Sequence, residues 1–256
     1  MTNESTIRLQ QEGDVAILTL CRPEQKNAMT TEMLEALYTH ADTLHDDKTV
    51  RAVLLQAEGP LFCVGADVKN MANHLDDLPG YVDSLIRTAH RALLRLMTLP
   101  VPLVGLLRGT AAGGGASLAL ACDILVAARS ARLVFAYTQL GTTPDMGLSH
   151  ALIERLGSRQ ALQLFLLSDS IAMEEAQRLN LVQKVADDSS AQDIALQLTK
   201  TLTQLPSSAA KELFNHPLRN AKLESQLERE RESFVRCSQT DTFRKRVISF
   251  AKVRPE

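Results

Sequence analysis

The segment Gly109-Thr110-Ala111-Ala112-Gly113-Gly114-Gly115-Ala116-Ser117 constrains the fold of this chain more than any other. It follows an apolar run at 102–107 that predicts a buried strand and leads into a predicted helix at 116–122 and a further strand at 124–127. This order of elements is typical of an α/β protein. Three consecutive glycines at a helix N-terminus either expose backbone N–H groups to an anionic ligand or allow a tight crossing of helix and strand.

The rest of the chain predicts further elements of both kinds. An alternating segment before Glu12-Gly13-Asp14 and a largely apolar segment after it predict two strands, and Val53-Leu54-Leu55 lies at the centre of a predicted buried strand at 51–57. Apolar residues at helical spacing predict a helix that begins at Thr30 or Thr31 and another at 81–99. After Gly157 the pattern predicts helices alone, at about 158–167, 172–179, 191–204, 207–215 and 223–250. We therefore predict an α/β core over residues 1–190 and a helical C-terminal region over residues 191–256.

Composition and charge exclude several classes of function. Lys and Arg number 28 against 30 Asp and Glu, so the formal charge of −2 provides no basic surface for nucleic acid or anionic lipid. The four cysteines form no C-x-x-C pair and no histidine has metal-ligand spacing, so we expect no metal site and reduced thiols. The longest apolar stretch, at 111–122, is too short to span a bilayer, and residues 1–11 do not resemble a signal peptide. A cytoplasmic protein is expected.

The glycines also fit a nicotinamide-binding pattern, G-x-x-x-G-x-G, as found in short-chain dehydrogenases. In those enzymes the motif follows the first strand, whereas here it lies beyond residue 100. None of the three tyrosines begins the Y-x-x-x-K that such enzymes use. Both observations disfavour a dehydrogenase.

Two more segments complete a specific combination. They are Arg22-Pro23-Glu24-Gln25-Lys26-Asn27-Ala28 and Leu61-Phe62-Cys63-Val64-Gly65-Ala66-Asp67-Val68-Lys69. With the glycine-rich segment they resemble the crotonase family, also called the enoyl-CoA hydratase/isomerase family, and the end of the chain, Phe250-Ala251-Lys252-Val253-Arg254-Pro255, is similar to that family's C-terminal signature. The resemblance implies a spiral of repeated ββα units, C-terminal helices that form trimers or hexamers, and a CoA thioester substrate with no further cofactor.

The resemblance also implies which residues form the site. The backbone N–H groups of Ala66 and Gly114 fall where the family holds the thioester oxygen in an oxyanion hole. Such donors are needed because removing a proton beside a thioester builds negative charge on that oxygen. The implied substrate-binding residues are Lys26, Ala28, Ala66, Asp67, Val68, Gly113, Gly114, Tyr137 and Phe250, with Lys26 near the CoA phosphates and Asp67 ordering its own loop.

The sequence departs from the family at the catalytic positions. Hydratases of the family hold water between two glutamates, and Ser117 and Tyr137 occupy those places here. Neither residue with its ordinary pKa is a ready base near neutral pH. Asp145, which follows Leu140-Gly141-Thr142-Thr143-Pro144, aligns with the single acid of isomerases that act on 3-enoyl-CoA or on ring derivatives of phenylacetyl-CoA. The same Pro-Asp pair is also common in ordinary turns.

We therefore predict an acyl-CoA isomerase of fatty acid metabolism that shifts a C=C bond, with Asp145 as acid and base. Two alternatives stay open: a hydratase or other lyase whose base lies elsewhere, and a non-catalytic acyl-CoA-binding oligomer. Asp123 is expected to be structural, and His150 is the histidine nearest to Asp145 in the chain. A trimer or a dimer of trimers is expected because the small core leaves apolar positions uncovered, namely Leu213, Phe214, Leu223, Leu227, Phe234, Phe243 and Val247.

Overall fold

The computed structural model describes residues 5–168, 170–215 and 217–252, which form nine strands and twelve α-helices. The strands are β1 (Ile7–Glu12), β2 (Val15–Leu20), β3 (Ala52–Ala57), β4 (Leu103–Leu107), β5 (Thr110–Ala112), β6 (Ile124–Ala128), β7 (Arg132–Val134), β8 (Ile171–Ala172) and β9 (Lys184–Ala186). The helices of the first half are α1 (Thr31–Asp46), α2 (Val68–Met71), α3 (Leu78–Met97), α4 (Gly114–Leu120), α5 (Tyr137–Leu140) and α6 (Leu148–Leu156). Those of the second half are α7 (Ser158–Leu167), α8 (Met173–Arg178), α9 (Ala191–Thr203), α10 (Ser207–Phe214), α11 (Pro217–Ser238) and α12 (Asp241–Lys252).

The larger sheet has six strands in the order β1-β2-β3-β4-β6-β9. Strand β1 pairs antiparallel with β2 through a turn at Gly13, whose φ of 62° favours glycine, and every later pair in this sheet is parallel. Parallel strands are covered on both faces, which explains why β2 and β4 are continuous apolar runs with every residue buried. The predicted α/β class is confirmed.

Helices α1 and α3 pack against each other beside this sheet. The Thr30 hydroxyl accepts a hydrogen bond of 3.3 Å from the Met33 N–H, so Thr30 is the N-cap of α1, one of the two residues predicted for that place. Helix α3 begins three residues before its predicted start. The side chain of Asp77 is its N-cap and accepts a hydrogen bond of 3.1 Å from the Gly80 N–H. Both helices present their apolar faces to the core.

The glycine-rich segment adds a second sheet, with strand order β5-β7-β8. Strand β5 lies within 109–115, which the glycine-rich sequence predicts to be a turn between a strand and a helix. Two glycines are required by close approach: a Cβ on Gly109 would lie 1.9 Å from the Pro60 carbonyl oxygen, and one on Gly115 would lie 2.1 Å from that of Cys63. The segment therefore runs directly against the 60–63 loop, so the tight crossing is observed, and the use of its N–H groups for an anionic ligand stays a prediction.

Two predictions for the second half of the chain are wrong. Strands β8 and β9 follow Gly157, where helices alone were expected, and β9 pairs with β6 at the sheet edge. Strands of two or three residues are too short to show a periodicity. The single helix predicted at 223–250 is instead two helices, because the Thr240 hydroxyl accepts from the Phe243 N–H at 3.2 Å and starts α12.

The C-terminal helices cover the core. Helix α9 packs on β3, β4 and β6, α11 packs on α3 and α6, and α12 packs on α2. The division of the chain after residue 190 stays a prediction. Residues 253–255 of the C-terminal signature lie outside the described residues. Among the described helices, none has the combined length and apolar content needed to cross a membrane.

The apolar positions expected to remain uncovered are mostly covered within one chain. Only Leu213 and Phe214 are exposed, at 80% and 78%. Other exposed apolar side chains lie on α7, where Leu162, Leu166 and Leu167 are 58%, 59% and 82% exposed. The five that the chain itself buries, against expectation, are Leu223, Leu227, Phe234, Phe243 and Val247. They pack inward because α11 and α12 fold back onto α3, α6 and α2.

Candidate active site

One large cavity lies between the loops that follow β2, β3 and β4 and the helices α3 and α11. Its volume is about 790 Å³. All of the residues predicted for the site line it, namely Lys26, Ala28, Ala66, Asp67, Val68, Gly113, Gly114, Tyr137, Asp145 and Phe250. The structure therefore brings together segments that lie far apart in the sequence.

The backbone N–H groups of two residues that line this cavity, Ala66 and Gly114, have no partner in the backbone of the described residues. Ala66 pairs with Met29 in a short parallel bridge, in which the neighbouring Gly65 carbonyl and Asp67 N–H bond to Met29 and the Ala66 N–H points away. Gly114 is the first residue of α4, where an N–H has no acceptor within the helix. Among the described residues no backbone carbonyl accepts a hydrogen bond from either group. Both donors are therefore open to a ligand.

The two donor segments approach each other closely. A Cβ on Gly65, whose φ is +87°, would lie 3.0 Å from the Gly114 nitrogen, so only glycine allows this contact. A Cβ on Gly114 would meet the sulfur atoms of Met146 and Met29 at 3.0 and 3.5 Å, which places these side chains beside the donors. An oxygen atom held there is surrounded by soft apolar groups, and its negative charge is stabilised mainly by the two N–H groups.

Asp145 is the buried carboxylate among the acidic residues that line the same cavity. It is only 5% exposed, and its Oδ1 lies 2.6 Å from Nε2 of His90 on α3. In the described part of the chain, no hydrogen bond to its Oδ2 is found. His90 was not predicted as a site residue, although the sequence places this histidine on the apolar face of α3. The carboxylate thus has one oxygen held by the protein and one available to the cavity.

The hydroxyl groups of Ser117 and Tyr137 hold the backbone of Asp145. Both donate to the Asp145 carbonyl oxygen, at 2.8 and 2.9 Å, and they lie 2.8 Å from each other. Burial raises the pKa of Tyr137 well above its ordinary value, so the phenol stays neutral. The two residues at the expected glutamate positions therefore do occur together, but they serve to hold Asp145.

Glu230 on α11 holds the loop after Asp145 from the other side. Its carboxylate accepts from the N–H groups of Gly147 at 2.7 Å and Ser149 at 2.9 Å, at the N-terminus of α6. Negative charge is favourable at that end of a helix. Burial, with the charge of Asp145 second, nevertheless raises the pKa of Glu230 to about 7. Nothing in the sequence indicated this contact, because Glu230 lies in a charged helix of ordinary composition.

The ligand atoms of His90, Asp145 and Glu230 all lie within 4.8 Å of one another, which raises the question of a metal site. Two atoms bound to one tetrahedral zinc ion at about 2.1 Å lie roughly 3.4 Å apart. The His90–Asp145 distance of 2.6 Å is shorter and is that of a hydrogen bond. Both oxygens of Glu230 already accept N–H groups. In the described part of the chain, His90 and Asp145 are therefore joined by a hydrogen bond, and Glu230 beside them binds the backbone N–H groups of Gly147 and Ser149.

The raised pKa of Glu230 predicts a pH-dependent contribution to stability. The folded protein keeps the proton up to about pH 7, whereas the unfolded chain releases it near 4.5. Between these values the folded state binds more protons, so the free energy of unfolding falls as the pH rises. From about pH 4.5 to 7.5 we expect the wild type to lose about 3 kcal/mol relative to Glu230→Gln, which cannot titrate.

Urea unfolding of both proteins across this pH range measures the effect. Glu224→Gln, a change of an exposed glutamate on the same helix, is the control, and its free energy of unfolding should depend on pH as that of the wild type does. If the free energies of unfolding of the wild type and Glu230→Gln had the same pH dependence, Glu230 would not change its protonation on folding.

The remaining candidates make structural contacts. Asp67 caps α2 by accepting from the Asn70 N–H at 3.1 Å and lies 3.6 Å from Arg22, and its part in substrate binding stays a prediction. Asp123 accepts from the Leu103 N–H at 2.8 Å and from Lys211 at 2.6 Å, as a structural residue does. His150 lines a separate cavity of about 210 Å³, and the histidine beside Asp145 is His90 instead.

Comparison with known proteins agrees with this fold and site. The family model described as enoyl-CoA hydratase/isomerase matches residues 10–256, and the chain belongs to that family. It is 34% identical over 250 residues to a 1,2-epoxyphenylacetyl-CoA isomerase of Escherichia coli, covering 96% of this chain and 95% of that protein. It is 28% identical to a short-chain-enoyl-CoA hydratase of Clostridium acetobutylicum, covering 98% and 96%. The predicted resemblance to the crotonase family is confirmed.

Solved structures agree as well. A crystal structure of an enoyl-CoA hydratase from Bacillus halodurans superposes with a TM-score of 0.89 at 25% identity and covers 96% of this chain and all of that one. The predicted crotonase-like fold is confirmed. Relatives named as isomerases and as hydratases both occur, so the family alone does not select the reaction.

Proposed function

We propose that this enzyme is an acyl-CoA thioester isomerase, which converts 3-enoyl-CoA to 2-enoyl-CoA or shifts the double bond of a related ring acyl-CoA. The observation that carries the proposal is the set of hydrogen bonds made by the Ser117 and Tyr137 hydroxyl groups. Their hydroxyl groups both bind the Asp145 carbonyl oxygen, so Asp145 is the carboxylate at this end of the cavity. The other acids that line the cavity among the described residues, Glu24 and Asp67, belong to the loops beside Lys26 and α2.

A single carboxylate is sufficient for this reaction. Asp145 takes a proton from C2 of the 3-enoyl chain, and the electron pair of the broken C–H bond forms a dienolate with its negative charge on the thioester oxygen. The N–H groups of Ala66 and Gly114 stabilise that charge. Asp145 then returns the proton to C4, the double bond moves to C2–C3, and no water is consumed. The substrate supplies the CoA group, and the proposal involves no further cofactor.

Hydration is the competing reaction, since several relatives are named as hydratases. It needs a water molecule held and activated by carboxylates, and the hydroxyl groups at those two positions are already used. We expect isomerisation of 3-enoyl-CoA at an enzymatic rate and little hydration of crotonyl-CoA or longer 2-enoyl-CoA, as measured by absorbance and by incorporation of ¹⁸O from water. Hydration at about 10 per second, a typical enzyme turnover, would show the reaction to be that of a hydratase. Tight acyl-CoA binding without any turnover would favour the binding-only alternative.

The assembly and location form part of the proposal. The exposed apolar side chains of α7 and α10 are a surface suited to contacts between copies of the chain, because exposed patches of this kind often mark interaction sites. A homotrimer or homohexamer that acts in the cytoplasm is what we propose.

A further inference from the structure

We propose that His90 is a positioning residue for Asp145, which holds Oδ1 of the carboxylate by a hydrogen bond from Nε2 and leaves Oδ2 to exchange the proton with the substrate. The inference rests on the proposed function, in which Asp145 is the acid and base. Family membership alone does not imply this role of His90, because the role depends on a contact between two residues 55 positions apart in this chain.

The position of His90 excludes direct contact with the substrate. Its neighbours on α3, Val82, Leu85, Ile86 and Ala89, line the cavity, whereas His90 does not. The imidazole is buried between α3 and the loop that carries Asp145, 2.6 Å from Oδ1. It therefore acts on the reaction only through the carboxylate.

The carboxylate needs this partner. A buried charge without a hydrogen bond is costly and either takes up a proton or rotates toward solvent. Two nearby groups, Glu230 on α11 and the Tyr137 phenol on α5, interact electrostatically with Asp145 and add no positive charge. Among the described side chains, His90 is the hydrogen-bond donor to this carboxylate. Without it, Asp145 has no group that fixes the rotation of its carboxylate plane.

Positioning also explains the division of tasks around Asp145. Ser117 and Tyr137 fix its backbone carbonyl, and Glu230 fixes the backbone N–H groups of Gly147 and Ser149 further along the chain. None of these four hydrogen bonds reaches the carboxylate itself. Asp145 can then still rotate about its side-chain torsions, and the hydrogen bond to His90 fixes them. Small errors in the position of a reacting group cost up to about 100-fold in rate.

The test uses two substitutions of His90 that differ in one property. Gln retains an N–H donor at about the distance of Nε2, whereas Leu fills a similar space without a donor. We expect His90→Leu to lower kcat by about 10- to 100-fold with KM changed less than about threefold, because acyl-CoA binding does not involve His90. His90→Gln should keep kcat within about fivefold of the wild type.

A second buried histidine provides the control for a general loss of packing. His150→Leu removes an imidazole of similar burial from the separate cavity and should leave kcat per folded protein near the wild-type value. Wild-type kcat in His90→Leu would overturn the proposal. Equal losses in His90→Leu and His90→Gln, or in His90→Leu and His150→Leu, would overturn it as well.

A readout without turnover separates this proposal from the proposed function. NMR of ¹⁵N-histidine-labelled protein should show a protected Nε2–H of His90 in the wild type and in Asp145→Asn, which keeps an acceptor oxygen, and lose it in Asp145→Ala. If no enoyl-CoA is isomerised but this pattern is found, the reaction is wrong and the His90–Asp145 pair stands. If isomerisation occurs and the signal is absent or does not depend on Asp145, His90 does not hold the carboxylate and the inference fails.

Discussion

Asp145→Asn should lower the isomerisation of 3-enoyl-CoA to 2-enoyl-CoA by about 10²- to 10⁴-fold, the usual contribution of a general acid–base group. Asparagine has nearly the same shape and accepts the hydrogen bond from His90, so the loop and the cavity should keep their form. It cannot take a proton from C2 at neutral pH. Because Asp145 moves a proton and does not hold the CoA group, acyl-CoA affinity should stay within a few fold.

Steady-state kinetics and calorimetric titration with a saturated acyl-CoA measure the two effects separately. Asp193→Asn, a change of an exposed acid on α9 away from the cavity, is the matched control and should behave like the wild type. Full isomerase activity in Asp145→Asn would remove Asp145 from the mechanism.

Gly114→Pro should have the second largest effect, a loss of about 10²- to 10³-fold in kcat, as found when one oxyanion donor is removed. Gly114 is the first residue of α4, and proline is well tolerated at that position because its missing N–H has no partner in the helix. The substitution deletes one N–H group and puts the proline Cδ in the place of its hydrogen. The loss of the donor should lower kcat, since the charge on the oxygen develops during the reaction, and the added Cδ should also weaken acyl-CoA binding.

The control for this variant is Gly114→Ala, which keeps the N–H. Its Cβ would lie 3.0 Å from the Met146 sulfur, and the flexible end of that side chain can move by the small amount required. We expect Gly114→Ala to keep activity within about tenfold of the wild type, with both variants folded by circular dichroism. Equal activities in Gly114→Pro and Gly114→Ala would mean that this N–H does not stabilise the reaction.

The sequence was most informative where function depends on contiguous segments. The proposed oxyanion donors, the N–H groups of Ala66 and Gly114, lie in segments whose glycines and flanking apolar residues are visible in the sequence, and Asp145 follows a short motif. The α/β order was predicted for the same reason, because β2, β3 and β4 are long enough to show mainly apolar segments. Strands β8 and β9 were missed because two or three residues carry no period.

The groups that support Asp145 could not be predicted in the same way. His90 and Glu230 come from α3 and α11, and only the packing of these two helices on the Asp145 loop reveals their roles. Ser117 and Tyr137 were identified by position, and the sequence showed correctly that neither is a carboxylate. That both would bind one carbonyl oxygen is a matter of three-dimensional distance, which no spacing in the chain encodes.

The contact between Glu230 and the start of α6 also has a consequence for the order in which the enzyme becomes complete during synthesis. The ribosome releases most of the residues that line the cavity, with the Ala66 and Gly114 segments and Asp145, before α11, whereas Phe234 and Phe250 belong to α11 and α12. A nascent chain at that stage can form the two N–H donors, but the loop after Asp145 still lacks the acceptor for its Gly147 and Ser149 N–H groups. The segment after Asp145 is therefore fully held last, when α11 folds onto α3 and α6, and under the proposed function a chain that terminates before α11 would lack one of the supports of its base.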